Sequence, residues 1–393
     1  MVTKSRSEAI PGWTVEKVGA LASFSSGEGI SVAGLQPLSH DFPVPVYGGN
    51  GIAGYTAKPC VNEATIIIGR VGQKCGEVHF SDGPAWITDN ALYPKRVHRS
   101  LHLRFLGLAL SAAGLNDVKN RNDLPLVTQS ILHAVEIPWP VDIKEQATIT
   151  AALSDMDALI GGLERLIAKK RHLKQAAVQQ LLTGHTRLPG YSGKWESVAV
   201  GELFMLKNGL NKAKEFFGTG TPIVNYMDVY QRSWLNMASL SGRVSVDERE
   251  RKAFDVQRGD VFFTRTSETV EEIGLAAVML DACLDTVFSG FLLRARPKND
   301  RLCDSFKKYC FQSESIRRQI VSRASYTTRA LTNGRLLSSV VLNIPGRDEQ
   351  AAIAEALSDM DAELAVLEQR RDKTRLLKQG MMQELLAGRT RLL

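Results

Sequence analysis

A helix-forming segment occurs twice in this chain, in an unbroken register. Residues 145–188 read EQATITAALSDMDALIGGLERLIAKKRHLKQAAVQQLLTGHTRL, and residues 349–392 read EQAAIAEALSDMDAELAVLEQRRDKTRLLKQGMMQELLAGRTRL. The offset is 204 at both ends (349 − 145 and 392 − 188), and 25 of the 44 positions are identical. Two helices that merely share a composition do not agree so far without a gap. A repeat of this kind constrains the architecture before any local reading does. The chain is two similar halves, each a globular region followed by a long helix.

The start of each half agrees as well. WTVEKVGAL begins at Trp13 and WESVAVGEL at Trp195, and Trp13/Trp195, Val18/Val200, Gly19/Gly201, Leu21/Leu203 and Gly27/Gly209 all share an offset of 182. The second globular region is therefore longer by 22 residues (204 − 182). Between these anchors the two regions diverge. A fixed frame with changed filling is expected of an assembly platform whose two halves bind different things.

Within the repeats the apolar positions step by 4, 3, 4, 3. They are Ile149, Leu153, Met156, Ile160 and Leu163 in one copy, and Ile353, Leu357, Met360, Leu364 and Leu367 in the other. That spacing is a coiled-coil seam. Leu173, Ala177 and Leu181, and Leu377, Met381 and Leu385, continue it less strictly. Prolines Pro138, Pro140 and Pro345 precede the helices, where proline is tolerated, and Gly184 and Gly388 follow as stops. A helix from Gln146 to Leu182 would run about 55 Å. Because the linker between Leu188 and Trp195 is short, the second globular region starts where the first helix ends. Parallel pairing would crowd both globular regions at one end, so antiparallel pairing is expected.

Composition adds limits. A formal charge of +7 and a pI near 9.1 suit a polyanionic partner, but charge alone does not separate a nucleic-acid binder from an ordinary basic protein. Cys60, Cys75, Cys283, Cys303 and Cys310 are odd in number and form no C-x-x-C pair, which predicts reduced thiols in a cytoplasmic protein, without disulfide framework or zinc site. The first residues, MVTKSRSEAIPGW, lack the apolar core of a signal peptide, and the apolar run at 105–113 is too short to span a bilayer.

The duplicated E-Q-x-x-I-x-x-x-L-S-x-M-D starts and L-L-x-G-x-T-R-L ends carry a family resemblance. Over nearly its whole length the chain resembles the specificity (S) subunit of type I restriction–modification systems. Residues 45–55 (PVYGGNGIAGY), 65–70 (TIIIGR) and 86–91 (WITDNA) resemble one class of target-recognition domain. Residues 259–267 (GDVFFTRTS) and 273–277 (IGLAA) resemble another. The resemblance implies an α+β chain with two α/β target-recognition domains, at 1–140 and 189–343. They are separated by spacer helices at 141–188 and 344–393, which form an antiparallel coiled coil with pseudo-twofold symmetry. It implies double-stranded DNA as ligand, two methyltransferase subunits and motor-nuclease restriction subunits as partners, and no membrane. It also implies no chemistry or cofactor in this chain, S-adenosylmethionine being bound by the methyltransferase partner. The competing expectation from the residues alone is a coiled-coil scaffold joining two protein-binding domains.

The globular regions offer candidate DNA contacts. The runs at 65–68 and 261–263 predict buried strands. Each is followed by a basic turn: Arg70, with Lys74 nearby, and Arg265-Thr266-Ser267. A cation and hydroxyls at the exit of a rigid strand suit phosphate or guanine-edge contact; the alternative is a solvated turn. Residues 322–329 (SRASYTTR) form a loop-like stretch dense in donors, with Arg323, Tyr326, Thr327 and Arg329. Lys207 and Asn208 precede Gly209, as Ser25 and Ser26 precede Gly27. Residues 49–54 fit G-x-G-x-x-G, but prolines flank them and no helix opens, which predicts a glycine-rich loop rather than a dinucleotide site. No P-loop lysine motif, H-E-x-x-H or amino-methyltransferase tetrapeptide is present.

Overall fold

The computed structural model describes residues 10–118, 125–326 and 328–392. The chain is α+β and divides into two compact units. One comprises residues up to Glu164 together with those from Gln369 onward, and the other is Arg165–Glu368. The two repeated segments form helices of 39 residues each, Ile143–Leu181 and Arg347–Leu385, and both unit boundaries fall inside these helices. Each unit thus holds the first part of one long helix and the last part of the other, beside its own globular region.

In the first unit, Trp13–Lys17 pairs antiparallel with Glu136–Pro140. The short helix Val18–Leu21 then feeds Ala22–Ser26, the edge of a four-stranded sheet. The order continues through Ala91–Val97 and Thr65–Gly69 to Val78–Ser81. A second sheet sets Val44–Gly48 between Gly51–Thr56 and Trp86–Ile87. The strand Thr65–Gly69 is buried throughout, as its β-branched run predicts. The glycine motif at 49–54 is a hairpin rather than a loop: Gly49-Asn50 turns the chain between two paired strands.

The second unit repeats this topology. Glu196–Ala199 pairs with Val341–Ile344, and Val200–Leu203 leads into Phe204–Asn208. That strand edges a sheet continuing through Leu292–Pro297, Val261–Thr264 and Ala276–Met279. A second sheet sets Phe217–Val224 between Arg243–Val244 and Val287–Phe288. The additional length includes the edge strand Trp234–Leu235, which has no counterpart among the described residues of the first unit. A small sheet of Thr266–Ser267, Ala330–Leu331 and Ser325–Tyr326 extends a pairing that both units share: Val71 bridges Leu126 as Thr266 pairs with Leu331, and the Val127 amide donates to Arg70 O as the Thr332 amide does to Arg265 O.

The motifs at the ends of the long helices meet within each unit. In the first, the Glu145 carboxylate, 1% exposed, accepts from Arg391 Nε (2.6 Å), Arg391 Nη2 (2.8 Å) and Trp13 Nε1 (3.2 Å). In the second, Glu349, 4% exposed, accepts from Arg187 and from Trp195 Nε1 (3.2 Å). The neighbouring glutamines are used twice in the same way. Gln146 Nε2 donates to Pro140 O and Gln350 Nε2 to Pro345 O, both at 2.9 Å. Gln146 Oε1 accepts from the His102 amide and Gln350 Oε1 from the Cys303 amide. The E-Q and T-R-L signatures are therefore two sides of one buried lock, and Gly184 and Gly388 (φ +73° and +70°) end the helices so that the arginines reach it.

The helices are held to each other by ion pairs in both units. Asp157 meets Lys378 and Glu164 meets Arg375 in the first, each at 2.5 Å. Lys170 meets Glu363 at 2.6 Å in the second, where Lys174 also meets Asp361. Partner numbers fall as the first helix advances, so in each unit the two segments run in opposite directions. Of the seam, Ile149, Leu153, Leu163, Ile353 and Leu357 are buried, and Met156, Ile160, Met360, Leu364 and Leu367 are half-buried. Ile149 and Leu153 join a core with Leu21, Phe105, Trp139 and Leu385; Ile353 and Leu357 join one with Leu203, Phe263, Phe306 and Leu181. Leu173 and Leu377, expected to continue the seam, are instead about half exposed (48% and 58%), while Ile167 and Thr374 are buried. In the second unit, beyond Ile167, Lys170 and Lys174 reach Glu363 and Asp361 of the other helix.

No helix of the described residues is long and apolar enough to cross a membrane, and the five cysteines are free.

Candidate nucleic-acid interface

One turn is built the same way in both units, at the exit of the central buried strand. In the first unit, Thr88 Oγ1 accepts from the Asn90 amide (3.3 Å) and Thr88 O from the Ala91 amide (3.1 Å). In the second, Ser289 Oγ accepts from the Phe291 amide (3.3 Å) and Ser289 O from the Leu292 amide (2.9 Å). The strand-exit arginine completes the turn each time. The Arg70 amide donates to Asn90 O at 2.9 Å, and the Arg265 amide to Phe291 O at 3.0 Å. Arg70 Nη1 donates to Asp89 O at 3.3 Å, and Arg265 Nη1 reaches Gly290 O at 3.5 Å. Gly27 and Gly209 explain their place in the repeat here: a Cβ on either would lie 2.0 or 2.1 Å from the carbonyl oxygen of Ile87 or Ser289. Only glycine lets the backbone come this close.

In the second unit a concavity of about 400 Å³ opens beside this turn. Tyr226 and Tyr230 stack along it at 5.8 Å, and Met227 and Phe291 expose apolar surface to it. Thr266, Ser267 and Arg329 line it as well. Glu272 accepts from Tyr230 Oη at 2.7 Å and from Ser267 Oγ at 3.3 Å. The tyrosine hydrogen bond holds the Glu272 carboxyl below the ordinary carboxylate range and raises the phenol in turn. Arg329 Nη2 lies 3.9 Å from Glu268 and is otherwise exposed.

The family with the description type I restriction modification DNA specificity domain matches residues 23–169 and 192–374, most of the chain. The chain belongs to this family. Among its members, the type I restriction enzyme MjaVIII specificity subunit of Methanocaldococcus jannaschii is 21% identical over 401 residues, covering 96% of this chain and 93% of that one. A putative type I specificity subunit of Mycoplasma pneumoniae is 27% identical over 233 residues, covering 56% and 60%. The crystal structure of the type I restriction–modification S subunit from M. genitalium shares the fold, with a TM-score of 0.61 at 16% identity and 98% of both chains covered. A structure from a study of type I complex assembly and conformational transition has a TM-score of 0.59 at 16% identity, covering 96% of this chain and 98% of that one.

The structure distributes the candidates selected by sequence unevenly. Thr266, Ser267 and Arg329 are brought together at the concavity, and the small sheet pairs Ser325–Tyr326 with Ala330–Leu331 so that exposed Tyr326 sits one strand away. Arg323 is not in a loop. It ends the helix Glu314–Arg323 and is occupied by Ser339 Oγ and Gln319 O. Thr327 lies outside the described residues. Lys207 Nζ is taken by Ala253 O at 2.5 Å and lies over the Phe254 ring, whereas Asn208 is exposed at the strand end. Lys74 is exposed, 3.9 Å from Glu77. Arg70 and Arg265 are turn-holding groups first. Sequence reasoning missed Tyr226, Met227, Tyr230, Glu272 and Phe291. The exposed aromatic at 291 follows a Ser-Gly turn, but only the fold reveals that this turn matches residues 88–90.

Proposed function

We propose that this chain is the DNA-reading and assembly subunit of a type I restriction–modification complex and performs no chemistry of its own. Each globular region presents loops to one half of a bipartite site in the major groove, where all four base pairs are distinguishable. The two long helices act as an antiparallel coiled-coil spacer with pseudo-twofold symmetry, and hold the readers at separate half-sites. Two methyltransferase subunits dock on the frame and supply S-adenosylmethionine binding, base extraction and adenine methylation; motor-nuclease subunits join for cleavage. The observation that supports this reading best is the frame built twice. Both globular regions share one sheet topology and one helix-end lock, yet expose different residues from it. Arg329, Tyr326, Thr266, Ser267, Asn208 and Lys74 are the sequence-selected residues left available for DNA.

The purified chain is expected to bind duplex DNA with a steep salt dependence, because phosphate contacts release counterions, and to neither methylate nor cut it. Adding the methyltransferase subunit is expected to produce S-adenosylmethionine-dependent methylation. Turnover by the isolated chain, or binding without preference among duplex sequences, contradicts the proposal.

A further inference from the structure

We infer that Asn90 and Phe291 are equivalent base-reading residues of the two halves. Asn90 hydrogen-bonds the major-groove edge of an adenine in one half-site, and Phe291 makes apolar contact with a thymine methyl in the other. The inference rests on the DNA-reading function proposed above and adds which residues read and what they read.

The turn carrying these residues is fixed by matching hydrogen bonds in both units, so its backbone is the same while its side chain differs. Those bonds use only main-chain groups of residues 90 and 291, which leaves both side chains free. Asn90 is exposed, and its carboxamide makes one contact, 3.4 Å to the neighbouring Asp89 carboxylate. Phe291 is 61% exposed on a tight turn, where hydrophobic burial gives no reason for a phenyl ring. It borders the concavity to which Met227, Tyr226 and Tyr230 give apolar surface suited to a methyl group, beside the polar side chains of Thr266, Ser267, Glu268, Glu272 and Arg329. A carboxamide matches the N7 acceptor and N6 donor of adenine bidentately, and apolar side chains select the thymine methyl. A rigid turn is what such a reader needs, since a reader on a mobile loop loses discrimination to ordering entropy. Arg70 and Arg265, tied to the carbonyls of residues 89 and 290, are then positioning residues.

The test uses the full chain with its methyltransferase subunit in cells carrying a plasmid library of randomised sequence, and the methylated motif is read by sequencing. Asn90→Asp is expected to move the preference at one position of one half-site from adenine toward cytosine, because a carboxylate accepts from cytosine N4 and cannot donate to N7. Phe291→Ala is expected to relax a thymine at one position of the other half-site. Both side chains are exposed, so the unfolding temperature should stay that of the parent. Binding of the purified chain to modified duplexes gives a second readout if a variant fails to methylate. Replacing the read adenine by 7-deazaadenine should weaken the parent about tenfold and leave Asn90→Asp nearly indifferent. Replacing the read thymine by deoxyuridine should weaken the parent several-fold and leave Phe291→Ala indifferent. A parent-like motif in both variants, or changes falling in the same half-site, overturns the inference while DNA reading stands. A parent chain without sequence preference overturns the function itself.

Discussion

At the scale of single residues, the account turns on buried charges that are paired. Glu349 is almost inaccessible, and Arg187 and Trp195 satisfy it. Removing the arginine strands a carboxylate in the core, which costs far more than a surface ion pair is worth. Arg187→Ala is therefore expected to destabilise the second unit by about 3–5 kcal/mol in a denaturant titration, with Glu349→Gln less harmful because the charge then left without its counter-ion, on Arg187, is the more exposed of the two and keeps its bond to Gly193 O. A loss below about 1 kcal/mol for Arg187→Ala would mean that water reaches Glu349. Carboxylates of the second unit also set an acid limit. Burial alone would raise Asp255 and Asp361, but Arg296 holds Asp255, and Lys174, Tyr309 and Lys308 hold Asp361, below the ordinary carboxylate range. A lowered folded value binds the proton less tightly than the unfolded chain does. These pairs thus contribute fully above about pH 4 and lose their contribution as pH falls through the folded values. Unfolding midpoints should be flat through mildly acidic pH and fall below about pH 4; a midpoint that rises there would reverse the assignment. Neither lock was legible from spacing alone. Glu145 and Arg391 are 246 positions apart, and the repeat marked both motifs without revealing that they touch.

At the scale of elements, local periodicity was readable and long-range pairing was not. The heptad positions of the first turns are covered because each helix start lies on a globular core as well as on the end of the other helix. Leu173 and Leu377 point to water because each stands one residue short of the 4-3 phase, which runs on from Leu163 through Ile167, Lys170 and Lys174 and from Leu367 through Arg371, Thr374 and Lys378. The prediction separates the two cases. Leu357→Ala, fully buried, should cost about 2–5 kcal/mol; Leu173→Ala should change stability by less than about 0.5 kcal/mol. Equal effects in a thermal or denaturant series would show the seam to be misdrawn. Strands at 65–69 and 261–264 were evident from β-branched and aromatic runs. The sheet orders joining them depend on pairings with strands up to 34 residues away (Val261 with Ala295), for which the sequence carries no local signal. The common turn was hidden for the same reason, since Thr88-Asp89-Asn90 and Ser289-Gly290-Phe291 share only a hydroxyl at the first position.

At the scale of the whole molecule, the claim is that duplicated frames read two half-sites and that helix length sets the gap between them. Ion pairs link both long helices in each unit, so lengthening one helix alone breaks their register. Matched insertions keep it. A four-residue helical unit placed after Glu164 and another after Glu368, at the unit boundaries, adds about 6 Å of rise. It also introduces a stutter that a coiled coil absorbs by local unwinding. That length corresponds to roughly two base pairs. The most direct measurement is the methylated motif of DNA from cells carrying the parent subunit or the doubly inserted one, with the methyltransferase partner present. The account predicts a bipartite motif in the parent, and in the variant the same two half-sites with an unread spacer longer by about one or two base pairs. An uninterrupted motif in the parent, or a variant that keeps its spacer while changing the bases read, would contradict it.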